Sequence, residues 1–191
     1  MTEQKNTGRR QFLLLGLFFL GPLVLAFIVY YGFDWRPAGS TEHGELLSPP
    51  VVMTDSDLGE EREGVVPKLR RKWSLIVLMD DGCDATCQSV LYETRQVRKA
   101  LSRERDRTQR VMLIDGDFDR PTIELQHPDL IILTDDMPVA REIESSFDGL
   151  GREFIYLADP LGNLMMRFPR DTAMKEIHTD LKKLLKLSRI G

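Results

Sequence analysis

The stretch Phe12–Phe33, FLLLGLFFLGPLVLAFIVYYGF, contains no charged residue. A helix needs about 20 apolar residues to cross the hydrocarbon core of a bilayer, and this run supplies them. Gly16, Gly21 and Pro22 would weaken a helix in water, but membrane helices tolerate them. Tyr30 and Tyr31 stand near one end, where amphipathic rings favour the water–lipid interface. Lys5, Arg9 and Arg10 precede the run, whereas Asp34 and only Arg36 follow it. That bias assigns residues 1–11 to the cytoplasm, 12–33 to a transmembrane helix and the remainder to the far side. A cleaved signal peptide is the alternative reading. Its apolar region would be shorter and would end at a small-x-small site, which Ala38-Gly39-Ser40 matches poorly. The expectation is a single-pass protein of the inner (plasma) membrane with a periplasmic C-terminal part.

Beyond the span, residues 34–67 carry Pro37, Gly39, Gly44, Pro49, Pro50, Gly59, Gly64 and Pro67, with acids clustered over Asp55–Glu63. This composition predicts an extracytoplasmic linker, in which only Glu45-Leu46-Leu47 suggests a short element docked on a domain. Residues 68–191 then form one domain of ordinary size with its own core. A net charge of −4 argues against nucleic acid as a partner.

Within that domain Trp73–Met79 is a continuous apolar run, as expected of a strand buried on both faces. Asp80-Asp81-Gly82 signals a turn and a helix entry. From Cys83 to Leu101 the apolar residues form a helical stripe. Arg110–Ile114 and Leu130–Leu133 read as further strands, and Pro138–Phe147 as a helix opened by proline. Phe154–Ala158 and Asn163–Phe168 flank Asp159-Pro-Leu-Gly162 as a hairpin. Met174, Ile177, Leu181, Leu184 and Leu185 make a closing amphipathic helix. The alternation predicts an α/β fold, a mixed sheet flanked by helices, and the cysteines after its first buried strand point to the thioredoxin-like version.

Cys83 and Cys87 are the only two cysteines. At positions i and i+4 of a helix both sulfurs would share a face, with Cα atoms about 6 Å apart, inside disulfide range. Outside the cytoplasm such a pair can exist as a disulfide. Two thiolates on one face also suit Cu(I), which prefers sulfur. The helix N-terminus favours thiolate, while Asp80, Asp81 and Asp84 oppose it. The competing reading is that both cysteines are small core residues. Their place at the strand-to-helix mouth, where α/β folds put their sites, counts against that.

Three features together resemble the Sco/SenC family, membrane-anchored thioredoxin-like proteins that deliver copper to cytochrome c oxidase. They are the strand Trp73–Met79, the motif Cys83-Asp-Ala-Thr-Cys87, which matches the family's Cys-x-x-x-Cys, and Tyr156-Leu-Ala-Asp-Pro-Leu-Gly162, which resembles its Tyr-Leu-x-x-Pro-x-Gly hairpin. The resemblance implies a redox pair and possible Cu(I) ligands at Cys83 and Cys87, copper as the metal, and a respiratory oxidase subunit or another assembly factor as the partner. Two departures stand out. Gln88 occupies the place of the family's proline after the second cysteine. The family's third copper ligand, a histidine shortly before the hairpin, falls in Gly149-Leu-Gly-Arg-Glu-Phe154, which has none.

Candidate substitutes are weak. His127 belongs to an expected loop, His178 to the border of the last helix's stripe and His43 to the linker, from which it could swing. Met79, Met165 and Met166 are soft donors that strands use as core filler. Asp115, Asp117 and Asp119 alternate, but fail the calcium-loop spacing. The expectation is thus an assembly factor or metallochaperone rather than a turnover enzyme. Its rivals are a general thiol–disulfide oxidoreductase, disfavoured by the cysteine spacing and the lack of a proline pair before the hairpin, and a redox-inactive scaffold. In exchange, Cys83 would attack and Cys87 resolve.

Overall fold

A computed structural model describes residues 4–32, 42–53, 69, 71–188 and 190 of the chain. It divides into two compact units, residues 1–41 and 42–191. The first contains, among the described residues, one helix, α1 (Gln4–Gly32). Within it Gly8–Val29 has a mean hydropathy of 2.8 over its most apolar window and buries none of that window against protein. This helix is long and apolar enough to span a membrane.

The second unit is built on six strands: β1 (Glu45–Val52), β2 (Trp73–Met79), β3 (Thr108–Ile114), β4 (Leu130–Thr134), β5 (Phe154–Ala158) and β6 (Asn163–Pro169). They lie in the order β1-β6-β5-β2-β3-β4. β2, β3 and β4 run parallel, with Ile76 opposite Val111 and Val111 opposite Ile131. β5 is antiparallel to β2, β6 to β5, and β1 to β6. The carboxyl ends of β2, β3, β4 and β6 therefore meet the amino ends of β1 and β5 along a single edge of the layer.

Helices cover both faces: α2 (Ala85–Ala100), α3 (Arg120–Gln126), α4 (Pro138–Ser145) and α5 (Met174–Leu187), with a 3-10 turn at Ser102–Arg107. Every residue of β2 and β3 is buried, as their unbroken apolar runs require. Alternate side chains then feed two cores. Leu75, Val77, Met112 and Ile114 pack with Leu91, Val97, Ile177 and Leu181 of α2 and α5. Ile76, Leu78, Val111 and Leu113 pack with Ala140 and Ile143 of α4 and with Phe147. Each such aliphatic side chain contributes roughly 1.5–3 kcal/mol when fully buried. The mixed, helix-flanked, thioredoxin-like sheet is the fold expected from the alternation of elements.

Two local expectations need correction. First, the helix after β2 begins at Ala85, with Asp84 as its N-cap, so Cys83 precedes the helix instead of sharing its face. The acceptor at Asp84 satisfies the first-turn amide of Cys87, and that bond fixes the boundary. Second, residues 34–67 are not all linker, because β1 forms the edge of the sheet and the compact unit starts at Glu42. Pro49 and Pro50 hid it: they cannot donate ladder bonds, so the strand is confined to an edge, with an irregularity between Leu46 and Val51. The acidic cluster Asp55–Glu63 lies outside the described residues.

His43, which a place in a linker would leave able to swing, is held in place. The buried carboxylate of Asp180 on α5 accepts from the backbone N–H of His43 at 2.6 Å and of Gly44 at 3.0 Å, and meets the His43 ring at 3.1 Å. A Cβ on Gly44 would fall 2.5 Å from the Phe168 ring, so only glycine fits this approach. Burial alone would raise the Asp180 pKa. The donors Gly44 and His43 outweigh it and leave the pKa below the usual carboxylate value.

Candidate functional site

The cysteines sit where β2 leaves the sheet. After Met79 the chain turns through Asp81 and Gly82, both with positive φ (57° and 87°). Gly82 donates its N–H to the Asp115 carbonyl at 2.8 Å, and Asp115 donates to the Met79 carbonyl at 3.0 Å. A Cβ at Gly82 would lie 2.2 Å from the Asp117 carbonyl oxygen. The loops after β2 and β3 are thus interlocked backbone to backbone, and glycine is required for the fit.

This locked turn delivers Cys83 beside the first turn of α2. Cys83 and Cys87 form a disulfide, with Cα atoms 5.1 Å apart. Cys87 is buried in the core cluster that includes Met79, Val90 and Leu91, and Cys83 is half-buried at its margin. Cys83 is therefore the more exposed of the two residues and Cys87 the sheltered one. The Asp84 side chain accepts from the Cys87 N–H at 2.9 Å, and this bond holds the Asp84 carboxyl below the usual range.

A cleft of about 510 Å³ opens next to this loop. Asp80, Asp81 and Asp84 line one side, and Arg152, Glu153 and Arg170 the other. Arg152 pairs with Asp80 at 2.5 Å and with Glu144 at 2.7 Å. Burial works against its charge, but the pairings with Glu144 and Asp80 prevail and raise its pKa. Arg170 donates to the Leu78 carbonyl and, at 2.6 Å, to that of Arg152. Both cations are thus used to brace the loops, while the carboxylates of Asp81, Asp84 and Glu153 are exposed.

No histidine joins the cysteines. His127 caps the end of α3 and is buried there, with its pKa lowered by burial and by Arg110 and Arg95. His178 is half-buried on α5, and His43 is bound to Asp180. Met79 and Met166 are core residues, and Met165 is half-buried on β6. Among the described residues no group of three or more His, Cys, Asp or Glu could hold a metal ion. The bracing arginines are what sequence reasoning missed. The one available signal was Arg152 itself, which stands in the stretch expected to carry a histidine.

No curated protein sequence matches the chain. In fold it is similar to apo Sco1 of Thermus thermophilus, with a TM-score of 0.55 and 18% identity over 77% of this chain and 99% of that one. It is also similar to the copper-bound ScoI of Arabidopsis thaliana, with a TM-score of 0.53 and 14% identity over 64% of this chain and 89% of that one. Yeast Sco1 gives a TM-score of 0.50 and 20% identity over 64% and 84%. Residues 73–188, more than half of the chain, match the family described as transmembrane-like, thioredoxin-like, C-terminal domain. With five of the six strands, the flanking helices and the cysteine turn inside the matched segment, this chain belongs to that family.

Proposed function

We propose that this protein is a membrane-anchored thioredoxin-like assembly factor that sets the thiol redox state of a copper-site protein through Cys83 and Cys87. The observation that carries the reading is the disulfide itself, with a reachable Cys83 and a sheltered Cys87 at the mouth of the sheet. In the reduced form the Cys83 thiolate attacks a partner disulfide, and one partner sulfur leaves as thiolate. Cys87 then attacks Cys83 in the mixed disulfide, the second partner sulfur leaves, and the Cys83–Cys87 bond is restored. Two electrons pass to the partner, and an external dithiol must return them.

The residues do not fit a three-ligand copper site. Arg152, a fixed cation paired to Asp80, stands in the stretch where the resemblance calls for histidine. Copper therefore enters this reading only as the partner's metal, or as Cu(I) carried briefly on two thiolates. The α1 span supports a single-pass anchor in the inner membrane, and the charge bias around it supports a cytoplasmic N-terminus with the domain in the periplasm. The partner is a respiratory oxidase subunit with a cysteine-containing copper site, or a factor that serves it.

The test uses the full chain in non-ionic detergent under anaerobic conditions. Reduced wild type should convert a disulfide-bonded peptide with the sequence of a copper-site loop to its dithiol with one-to-one stoichiometry, and the Cys83→Ser, Cys87→Ser variant should not. If the wild type is inert towards the peptide yet binds stoichiometric Cu(I), copper carriage replaces thiol exchange. If the double variant still supports oxidase assembly in cells, the protein is a scaffold and the proposal fails.

A further inference from the structure

Near the amino ends of β3 and β4, away from the disulfide, two arginines share one carboxylate, and a third, Arg95, stands one helical turn before the first of them. Arg98 Nη1 lies 3.1 Å from Asp129 Oδ2, and Arg110 Nη1 lies 3.4 Å from Asp129 Oδ1. Arg110 is buried behind them, its Nε donating to Thr94 Oγ1 at 3.1 Å and its Nη2 to the Leu91 carbonyl at 2.5 Å. Arg98 Nε donates to the Thr108 carbonyl at 2.9 Å. Arg95, on α2 one turn before Arg98 and Lys99, has no ion pair or hydrogen bond among the described residues, yet its charge reaches both Arg110 and His127. His127 completes the group: it is 5% exposed, and its Nδ1 is buried without a partner.

Among the described residues, three guanidiniums against one carboxylate leave two positive charges without a paired acid. Burial, opposed by Asp129, and the like charges of Arg95 and Arg98 lower the Arg110 pKa to about 10. A network serving only the fold would be expected to match its buried charges and use its buried polar atoms. This one leaves a forked guanidinium and a ring nitrogen unused, the donors that oxygen-rich anions take in pairs.

We infer that Arg95, Arg98 and His127, backed by Arg110, form a binding site for a phosphate-type oxyanion. The double negative charge of such a group matches the excess of the three arginines over Asp129 among the described residues. Arg95 supplies the open fork, and His127 supplies a further donor once protonated. The site is separate from the cysteine pair and stands whether or not the thiol-exchange reading holds.

The experiment titrates the full chain in non-ionic detergent, at constant ionic strength, with inorganic phosphate against a chloride control. Calorimetry should show one saturable site, and the His127 pKa followed by NMR should rise as phosphate binds. Arg95→Gln removes a half-buried side chain without a partner among the described residues, so the fold should persist, as circular dichroism will check, while affinity falls at least tenfold. Arg95→Lys should recover part of it. The Cys83→Ser, Cys87→Ser variant should bind phosphate as the wild type does. A parallel titration with a short-chain phosphatidylglycerol separates a lipid headgroup from a free anion. Absence of saturable binding in both titrations, or equal affinity in wild type and Arg95→Gln, overturns the inference.

Discussion

At the carboxyl end of β2 the two arginines closest to the cysteine loop are committed. Arg152 is spent on Asp80 and Glu144, and Arg170 on two backbone carbonyls. At the amino end of β3 the situation reverses: Arg98 and Arg110 share Asp129, and Arg95 has no ion pair among the described residues. The first end pairs its cations and exposes Asp81, Asp84 and Glu153 beside the half-buried Cys83. The second pairs its half-buried acid and, among the described residues, keeps cations in excess. The two ends of one sheet are therefore suited to different chemistry. Net negative charge near Cys83 opposes a stable thiolate, whereas net positive charge near Arg95 favours an anion.

The largest expected effect tests whether the cysteine end is built by backbone interlock. Gly82→Ala must displace the Asp117 carbonyl and hold alanine at positive φ, so it should cost about 3 kcal/mol or more in denaturant unfolding. Gly149→Ala shares the positive φ but has nothing within 4 Å of its Cβ, and should cost only about 1 kcal/mol. Equal losses would show that contact between the two loops contributes little.

Removing the disulfide should matter less for stability than for function. The bond closes a very short loop, so the Cys83→Ser, Cys87→Ser variant should lose only about 2 kcal/mol while thiol exchange disappears. A change of charge at the cleft comes next. Arg152→His replaces the bracing cation with a copper donor, and Cu(II) affinity should rise at least tenfold over wild type in a competitive titration. No gain would mean that the loop before β5 does not deliver its side chain to the cysteines.

The smallest effect lies at the opposite end and is read by pH. The folded pKa of His127 is held below its ordinary value near 6.5 by burial and by Arg110 and Arg95. The unfolded chain therefore takes up a proton that the folded state resists. The stability contribution is complete above pH 6.5 and declines as the pH falls below it. His127→Gln should flatten that part of the stability profile, and phosphate should reduce the decline in the wild type.

Much of this was legible in the residues. The continuous runs Trp73–Met79 and Arg110–Ile114 became the central parallel pair, and the turn at Asp159–Gly162 became the β5–β6 hairpin, because these signals are local and periodic. That the cysteines could pair was legible in their isolation and spacing, and the structure joins them. β1 was obscured by two prolines, and α3 was too short to show a periodic stripe. The clamp from Asp180 to His43 spans a sequence separation of 137, and no pattern in either segment announces the other.

The sequence by itself determined which runs are buried, where the chain can cross a lipid layer, and that any thiol chemistry belongs to Cys83 and Cys87. These depend on composition and on spacing within a few residues, where sterics and hydrophobic burial act locally. Tertiary structure alone decided that Cys83 lies outside the helix, that Arg152 is locked to Asp80, and that Arg98 and Arg110, from separate elements, share Asp129. Those outcomes depend on charges brought together from separate elements, and their energies take shape only when packing has fixed the distances and removed the water.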